Sequence, residues 1–424
     1  MEYKKTENKY TVATYCFTYN QESYIEDTLN GFSKQETTFP VVYIVIDDAS
    51  TDRTPEVLCT WCNNNLQIES DEEPWKQMPY GRLREGTLKG KPHLQFVFLL
   101  LDENHYQTGK REKCFGYIDE WLDNSLYIAI CEGDDYWTAP LKLQKQVDYL
   151  ESNPDVVMCY TRCILFNEST QTFGEEYGWQ VNDFYHLFES NLIQTLTTVF
   201  RKSVYKEYIE NVRPFSKKWL LEDYPMWLYF ALRYKIHLID ECTSVYRYLE
   251  ESASHSNNFE KQVKFEQSVF DVRKFFAQMC PNSQELITKA DEKYHDMLFY
   301  EASKCQNLQG MIEFIGWKIK QQEDKYATAL HDLNIRMTSY ETNNQYLNKL
   351  LKQYNTINQN LQNSNQNLQN SNQNLQNSNQ NLQYNNQNLQ YKRKKYRRLF
   401  ISSVIMNALF LMITISAIIY LCIK

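Results

Sequence analysis

Three apolar runs that each stop at carboxylates constrain this chain most: VVYIVIDD at 41–48, QFVFLLLD at 95–102 and LYIAICEGDD at 126–135. With TVATYCFTYN at 11–20 and VVMCYTRCILF at 156–166, they alternate with helical patterns from Thr11 to about Leu249. Strands alternating with amphipathic helices predict an α/β fold whose sheet is covered by helices on both faces. In open α/β sheets ligands bind beyond the carboxyl ends of the strands, so the acidic strand ends already locate a site.

The chain has 424 residues and a formal net charge of -8, enough length for a catalytic domain plus further modules. An acidic chain is a poor match for nucleic acid, whose phosphates are bound through basic surfaces. The 11 cysteines are odd in number and scattered through apolar runs, a pattern expected of reduced thiols in the cytosol. Cys59 and Cys62 form one C-x-x-C with no second pair and no His cluster nearby. That spacing reads as two helical thiols, against a zinc or redox site. Met1 to Tyr10 is charged and lacks an apolar core, so the catalytic part is expected in the cytoplasm.

Five segments follow from the pattern: 1–253 as the α/β domain, 254–346 as a helical extension, 347–390 as a heptad repeat, 391–398 as a basic segment and 399–423 as a transmembrane helix. The repeat reads Asn-Gln-Asn-Leu-Gln-Asn-Ser, with leucines at 361, 368, 375, 382 and 389. Its phase also meets Tyr340, Leu347, Tyr354 and Tyr396, as a self-associating coiled coil requires. The other core position holds Asn358, Asn365, Asn372, Asn379 and Asn386, which lowers stability while fixing register. A disordered polar spacer is the alternative. Residues 391–398 (YKRKKYRR) carry six positive charges, and the 25 residues from Leu399 to Ile423 carry none. That stretch is long enough to span about 30 Å of hydrocarbon. Positive residues stay on the cytoplasmic side, so the expectation is a single-pass protein of the cell membrane, C-terminally anchored, with a cytoplasmic catalytic domain.

Four motifs carry candidate chemistry. TYCFTYN at 14–20, continued by Gln21, Glu22, Ser23 and Tyr24, places a polar turn after the first strand; it can hold a nucleotide base, or it is simply a helix start. VIDDASTDRT delivers Asp47 and Asp48 to a turn, where they can accept hydrogen bonds from a base and a ribose or, alternatively, cap the next helix. CEGDDYW clusters Glu132, Asp134 and Asp135. Carboxylates so close repel one another, and a divalent cation relieves that repulsion; an exposed acidic turn is the alternative. WLLEDYPMW supplies Glu222 and Asp223, either as an acid–base pair or as acids at a helix N-terminus before Pro225.

Together TYCFTYNQESYIEDTL, VIDDASTDRT and CEGDDYW with PLKLQKQVDYLE resemble glycosyltransferase family 2, of the membrane-anchored bacterial type, over about residues 9 to 250. The resemblance implies a GT-A (Rossmann-like) fold, a nucleotide-sugar donor and an inverting, metal-dependent transfer with Mg²⁺ or Mn²⁺. The family's D-x-D motif falls on Glu132-Gly133-Asp134, with Glu in the first position and Asp134 as the metal ligand. Thr18, Tyr19, Asn20, Glu22, Asp47, Asp48, Glu132 and Asp135 then become donor contacts. Lys110 or Arg111, in NHYQTGKREK, and Arg247, in VYRY, match places where a basic residue meets phosphate. Asp223 is the implied base, and Tyr136, Trp137, Thr197 and Glu222 are expected on the acceptor side.

The expected function is sugar transfer from a nucleotide-diphosphate donor, in first place a UDP-sugar, to a glycan or lipid-linked acceptor during surface polysaccharide synthesis. A sugar-phosphate nucleotidyltransferase would need a glycine-rich phosphate loop after the first strand, and Cys16 to Glu22 has no glycine. The remaining alternative is a catalytically inactive, membrane-tethered scaffold with a transferase-like domain.

Overall fold

A computed structural model describes residues 8–67, 75–215, 218–250, 256–305, 307–339 and 344–386. The chain runs through strand β1 (Tyr10–Thr18), helix α1 (Ile25–Ser33), β2 (Val41–Asp47), α2 (Thr54–Asn65), β3 (Leu66–Gln67), β4 (Lys76–Met78), β5 (Gly81–Leu88), β6 (Lys91–Leu101) and α3 (Arg111–Asp123). It continues with β7 (Ser125–Ile130), β8 (Tyr136–Trp137), α4 (Lys142–Ser152), β9 (Val156–Asn167), β10 (Thr172–Tyr177), α5 (Phe184–Glu189), β11 (Val199–Arg201), α6 (Lys202–Asn211), α7 (Asp223–Arg233) and β12 (Lys235–Tyr248). Four helices follow: α8 (Phe259–Ala277), α9 (Ser283–Lys304), α10 (Leu308–Ser339) and α11 (Asn344–Asn386).

The strands form one mixed sheet ordered β3-β5-β6-β2-β1-β7-β11-β9-β12-β8, with β10 added on β9 and β4 on β5. Its centre, β6-β2-β1-β7, is parallel, with Thr18 of β1 opposite Asp47 of β2. The chain leaves β1 towards β2 and β6 on one side and returns to β7 on the other. This switch point opens a crevice at the strand ends. Every residue of β2 is buried, as a strand covered on both faces requires. One face of β1 sends Ala13 and Tyr15 towards Phe115 and Ile118 of α3; the other sends Val12 and Cys16 towards Leu29 and Phe32 of α1. Phe32 stacks on Tyr43 at 4.8 Å and meets Trp137 edge-on at 4.9 Å, contacts worth about 0.5–1.5 kcal/mol per pair beyond the buried area.

Two compact units divide the chain, residues 1–318 and 319–424. The helical extension joins the core of the first. Val272, Phe276 and Ala277 of α8 and Leu286 and Ala290 of α9 are buried with the α5 and α7 side chains. Arg273 donates to the carbonyls of Phe188 and Glu189 and to the Tyr224 hydroxyl. In the second unit the repeat from Asn344 to Asn386 is one 43-residue helix. Among the described residues no helix is long and apolar enough to cross a membrane; the expected span at 399–423 and the basic run at 391–398 lie outside the described residues.

Candidate active site

The loops after β1 and β2 lock together through reciprocal hydrogen bonds. Asn20 adopts a left-handed backbone with φ 53°, a conformation that short polar side chains tolerate best after glycine. Its side-chain oxygen accepts from the Thr51 N–H at 2.8 Å, and its own N–H donates to Ser50 Oγ at 2.8 Å. The Glu22 N–H donates to Asp52, and the Arg53 N–H donates back to Glu22 at 2.8 Å. Asn20 and Glu22 therefore act as clamps that shape the cleft floor. Tyr19, half-buried at the rim, accepts from Gln107 through its hydroxyl at 3.4 Å.

Asp47 and Asp48 diverge although they are neighbours. Asp47 is buried and accepts from the backbone and hydroxyl of Ser50; burial pushes its pKa up to about 6, against those two bonds. Asp48 accepts from the His105 N–H at 2.8 Å and the Tyr106 N–H at 3.0 Å. It thereby anchors the loop after β6 to the end of β2. Among the described residues Asp48, His105 and Cys114 are the group whose ligand atoms lie within 4.8 Å of one another. Both ring nitrogens of His105 are already engaged, with the Glu103 carbonyl at 2.8 Å and the Tyr117 hydroxyl at 3.1 Å. That group is a latch rather than a metal cage.

The acidic turn after β7 is drawn onto β1, because the Gly133 N–H donates to the Phe17 carbonyl at 2.9 Å and Cys131 to that of Tyr15 at 3.3 Å. Thr28 of α1 donates to the carbonyls of Gly133 and Asp135. A Cβ on Gly133 would stand 2.5 Å from Gln21 Oε1 and 2.8 Å from Thr18 Cβ, so only glycine fits there. Burial raises the Asp135 pKa well above the ordinary value, with the Asp134 and Glu132 charges adding to it. Burial also raises Asp134, while the Arg247 charge opposes the shift.

Arg247 ties this turn down. Its backbone N–H donates to Asp135 at 2.8 Å, its Nε to the Asp134 carbonyl at 2.8 Å, and its two terminal nitrogens pair with Glu168 at 2.7 Å and Asp27 at 2.8 Å. Expected as a phosphate contact, it is committed instead to positioning the acids. Lys110, expected in the same role, pairs with Glu103 at 2.6 Å on the exposed surface; its neighbour Arg111 opens α3.

Family metal chemistry fits this end of the sheet. Carboxylates are hard oxygen donors suited to Mg²⁺ or Mn²⁺. The buried oxygens Thr18 Oγ1 and Gln21 Oε1, both facing Gly133, have no hydrogen-bond partner. Glu132, Asp134 and Asp135 are not among the groups whose ligand atoms all lie within 4.8 Å of one another, so a cation at Asp134 would need further ligands from outside this turn.

Beside the turn, on the α3 and α6 side of β1, lies a cavity of about 500 Å³ walled by Tyr15, Tyr106, Phe115, Tyr205, Tyr208, Arg213, Trp219 and Glu222. Arg213 lies over the Phe115 ring at 4.3 Å. Asp223, the first residue of α7, accepts from Thr195 Oγ1 at 2.7 Å and from the Tyr224 N–H at 2.7 Å. Glu222 lies on the cavity wall. The other residues expected on the acceptor side do not line this cavity. Trp137 is buried and donates to the Leu196 carbonyl, with the buried Lys142 ammonium 4.5 Å over its ring. Thr197 is buried and bonded to Gln194, and Tyr136 is half-buried with its ring 5.4 Å from Arg247. Trp137 belongs to the short strand β8 and Thr197 lies just before β11, and both are taken into the core.

A mixed α/β sheet whose parallel centre carries an acidic turn at its switch point places a crevice at the strand ends. Residues 17–102 match the family described as Glycosyl transferase family 2. The chain is 31% identical over 233 residues, 54% of its length and 56% of the relative's, to an uncharacterized protein of Mycobacterium tuberculosis. It is 27% identical over 159 residues to poly(ribitol-phosphate) beta-N-acetylglucosaminyltransferase TarS of Staphylococcus aureus, covering 37% of this chain and 26% of TarS. The chain thus spans only about half the length of the mycobacterial relative. Among solved structures it resembles mannosyltransferase PcManGT from Pyrobaculum calidifontis in complex with GDP-Man and Mn²⁺, at a TM-score of 0.43 and 14% identity, over 81% of this chain and 84% of that one.

Proposed function

We propose that this chain transfers a sugar from a nucleotide-diphosphate donor, a UDP-sugar in first place, to a hydroxyl of a glycan or lipid-linked acceptor, with inversion. The observation that carries this reading is the junction at β1: one strand holds the Glu132–Asp135 turn through the Tyr15 and Phe17 carbonyls and lends the Tyr15 ring to the aromatic cavity. Donor and acceptor thereby meet across a single strand. The sequence similarity to TarS, whose name records N-acetylglucosamine transfer to a poly(ribitol-phosphate), supports a glycan acceptor.

In this reading Asp223 removes the acceptor hydroxyl proton as that oxygen attacks the anomeric carbon, and the nucleoside diphosphate leaves from the opposite face. Thr195 orients the Asp223 carboxylate, and aromatic walls receive the apolar faces of a sugar. A divalent cation at Asp134, when bound, offsets the charge of the diphosphate. We further propose that Leu399–Ile423, with the basic run before it, anchors the enzyme so that its catalytic unit works at the cytoplasmic face of the membrane where lipid-linked acceptors collect.

The test is a thermal-shift titration of the full-length protein with UDP, GDP and CDP, each with and without Mn²⁺, beside Asp134→Ala. Stabilisation by one nucleotide that needs Mn²⁺ and disappears in the variant is expected. No shift with any nucleotide would leave the tethered scaffold as the reading.

A further inference from the structure

The heptad phase of the asparagine–leucine repeat does not begin at Tyr340. Counting back in sevens from Leu361 gives Tyr354, Leu347, Tyr340, Leu333, Tyr326, Ile319 and Ile312, and counting forward reaches Tyr396, so 13 consecutive positions of one phase are apolar or aromatic. The first of these lie on α10 and are exposed: Ile312 61%, Ile319 56% and Tyr326 65%. The opposite face of that helix is already occupied, since Phe314 packs on Phe299 at 4.6 Å and Trp317 stacks on His295 at 3.9 Å. On α11 Leu368 of the same phase is 64% exposed. A seam of this length in one phase is the signature of a coiled coil, not of a helix packed on a globular core.

We propose that the seam from Ile312 onward is covered by a second copy of this chain, in a parallel coiled coil. Three observations point to a copy rather than another partner. From Gln353 to Tyr391 the sequence contains no charged residue, so it offers nothing to a charged face and meets no repulsion from itself. The neighbouring core position is asparagine five times running, from Asn358 to Asn386. A buried amide needs a donor and an acceptor at its own height, and an identical chain places asparagine opposite asparagine at every layer. Both copies carry the same apolar stretch, Leu399–Ile423, C-terminal to the seam, which favours a parallel arrangement at one surface.

The segment upstream of the repeat supplies what the repeat lacks. A perfect seven-residue repeat pairs equally well after a slip of one heptad, and its asparagine layers are weak. Upstream the same two core positions read Gly316 and Ile319, Glu323 and Tyr326, Leu330 and Leu333, Met337 and Tyr340, Asn344 and Leu347, then Leu351 and Tyr354. No two of these layers are alike, so they set register, and the layers from Leu330 to Tyr354, mostly apolar, contribute most of the stability.

The experiment is sedimentation velocity of the full chain in detergent, beside Leu361→Asp with Leu368→Asp and beside Ile319→Asp with Tyr326→Asp. The native chain is expected at the mass of two copies, with both double variants falling to one. All three proteins retain Leu399–Ile423, so equal masses for all three would assign association to that stretch and overturn the proposal. A monomeric native chain would overturn it too, and an Ile319/Tyr326 variant as oligomeric as the native chain would overturn the upstream seam. Nucleotide-induced stabilisation is read on the same samples and is expected to be unchanged, so failure of the seam and failure of the transferase reading are separate results.

Discussion

Asn20, Glu22, Asp47 and Asp48, proposed for the donor side, lie in two adjacent loops, each satisfied by backbone N–H groups of its neighbours. The cavity proposed for the acceptor is walled by Tyr15, Phe115, Tyr205, Arg213 and Trp219, which come from β1, α3, α6 and two later segments. One is a local polar lattice and the other a long-range aromatic shell.

That contrast predicts separable defects. The largest is expected for Asp223→Asn, which keeps the shape but removes the base. Transfer should fall roughly 10²–10⁴-fold, while nucleotide affinity with Mn²⁺ stays at the native value. Measuring kcat and nucleotide binding on the same preparation checks this, and a parallel loss of both would show that the two sides are not independent. Glu222→Gln on the cavity wall should raise the acceptor KM more than it lowers kcat.

On the donor side, Asp134→Ala should lower transfer by roughly 10²–10³-fold and abolish the Mn²⁺-dependent part of nucleotide binding. Arg247→Lys comes next. Lysine keeps the charge but cannot reproduce the fork that meets Asp27, Glu168 and the Asp134 carbonyl together. Apparent Mn²⁺ affinity should weaken by roughly 10–100-fold with the fold intact by circular dichroism. An unchanged metal titration would assign Arg247 to stability alone.

The same contrast explains what was legible in the sequence. Apolar runs ending in acids predicted the parallel centre, because strand burial is local. The cavity wall is invisible in the sequence, since nothing in the neighbourhood of Tyr15 or Tyr205 marks it for a site; only packing of distant elements brings these rings together. Arg247 is expected at a phosphate, whereas in the structure it pairs with Asp27 and Glu168, which lie far away in sequence. Trp137 and Thr197 are expected on the acceptor side, yet both are buried. A helix of uniform heptads is the opposite case, as its one informative property is its period.

The smallest effect on transfer is expected at Asp47, and it sharpens the comparison by showing what the polar lattice costs. Burial lifts its pKa from 3.8 to about 6, so the folded protein holds this proton more tightly than the unfolded chain does. The resulting stabilisation is complete below the unfolded value and is lost as pH rises through about 6. A shift of this size corresponds to at most about 3 kcal/mol. Asp47→Asn removes the titration, so the difference in Tm between native protein and variant should move in the variant's favour between acid and neutral pH, and then level off. A difference that stays flat across that window would mean that Asp47 is charged throughout, and that the Ser50 hydrogen bonds outweigh its burial.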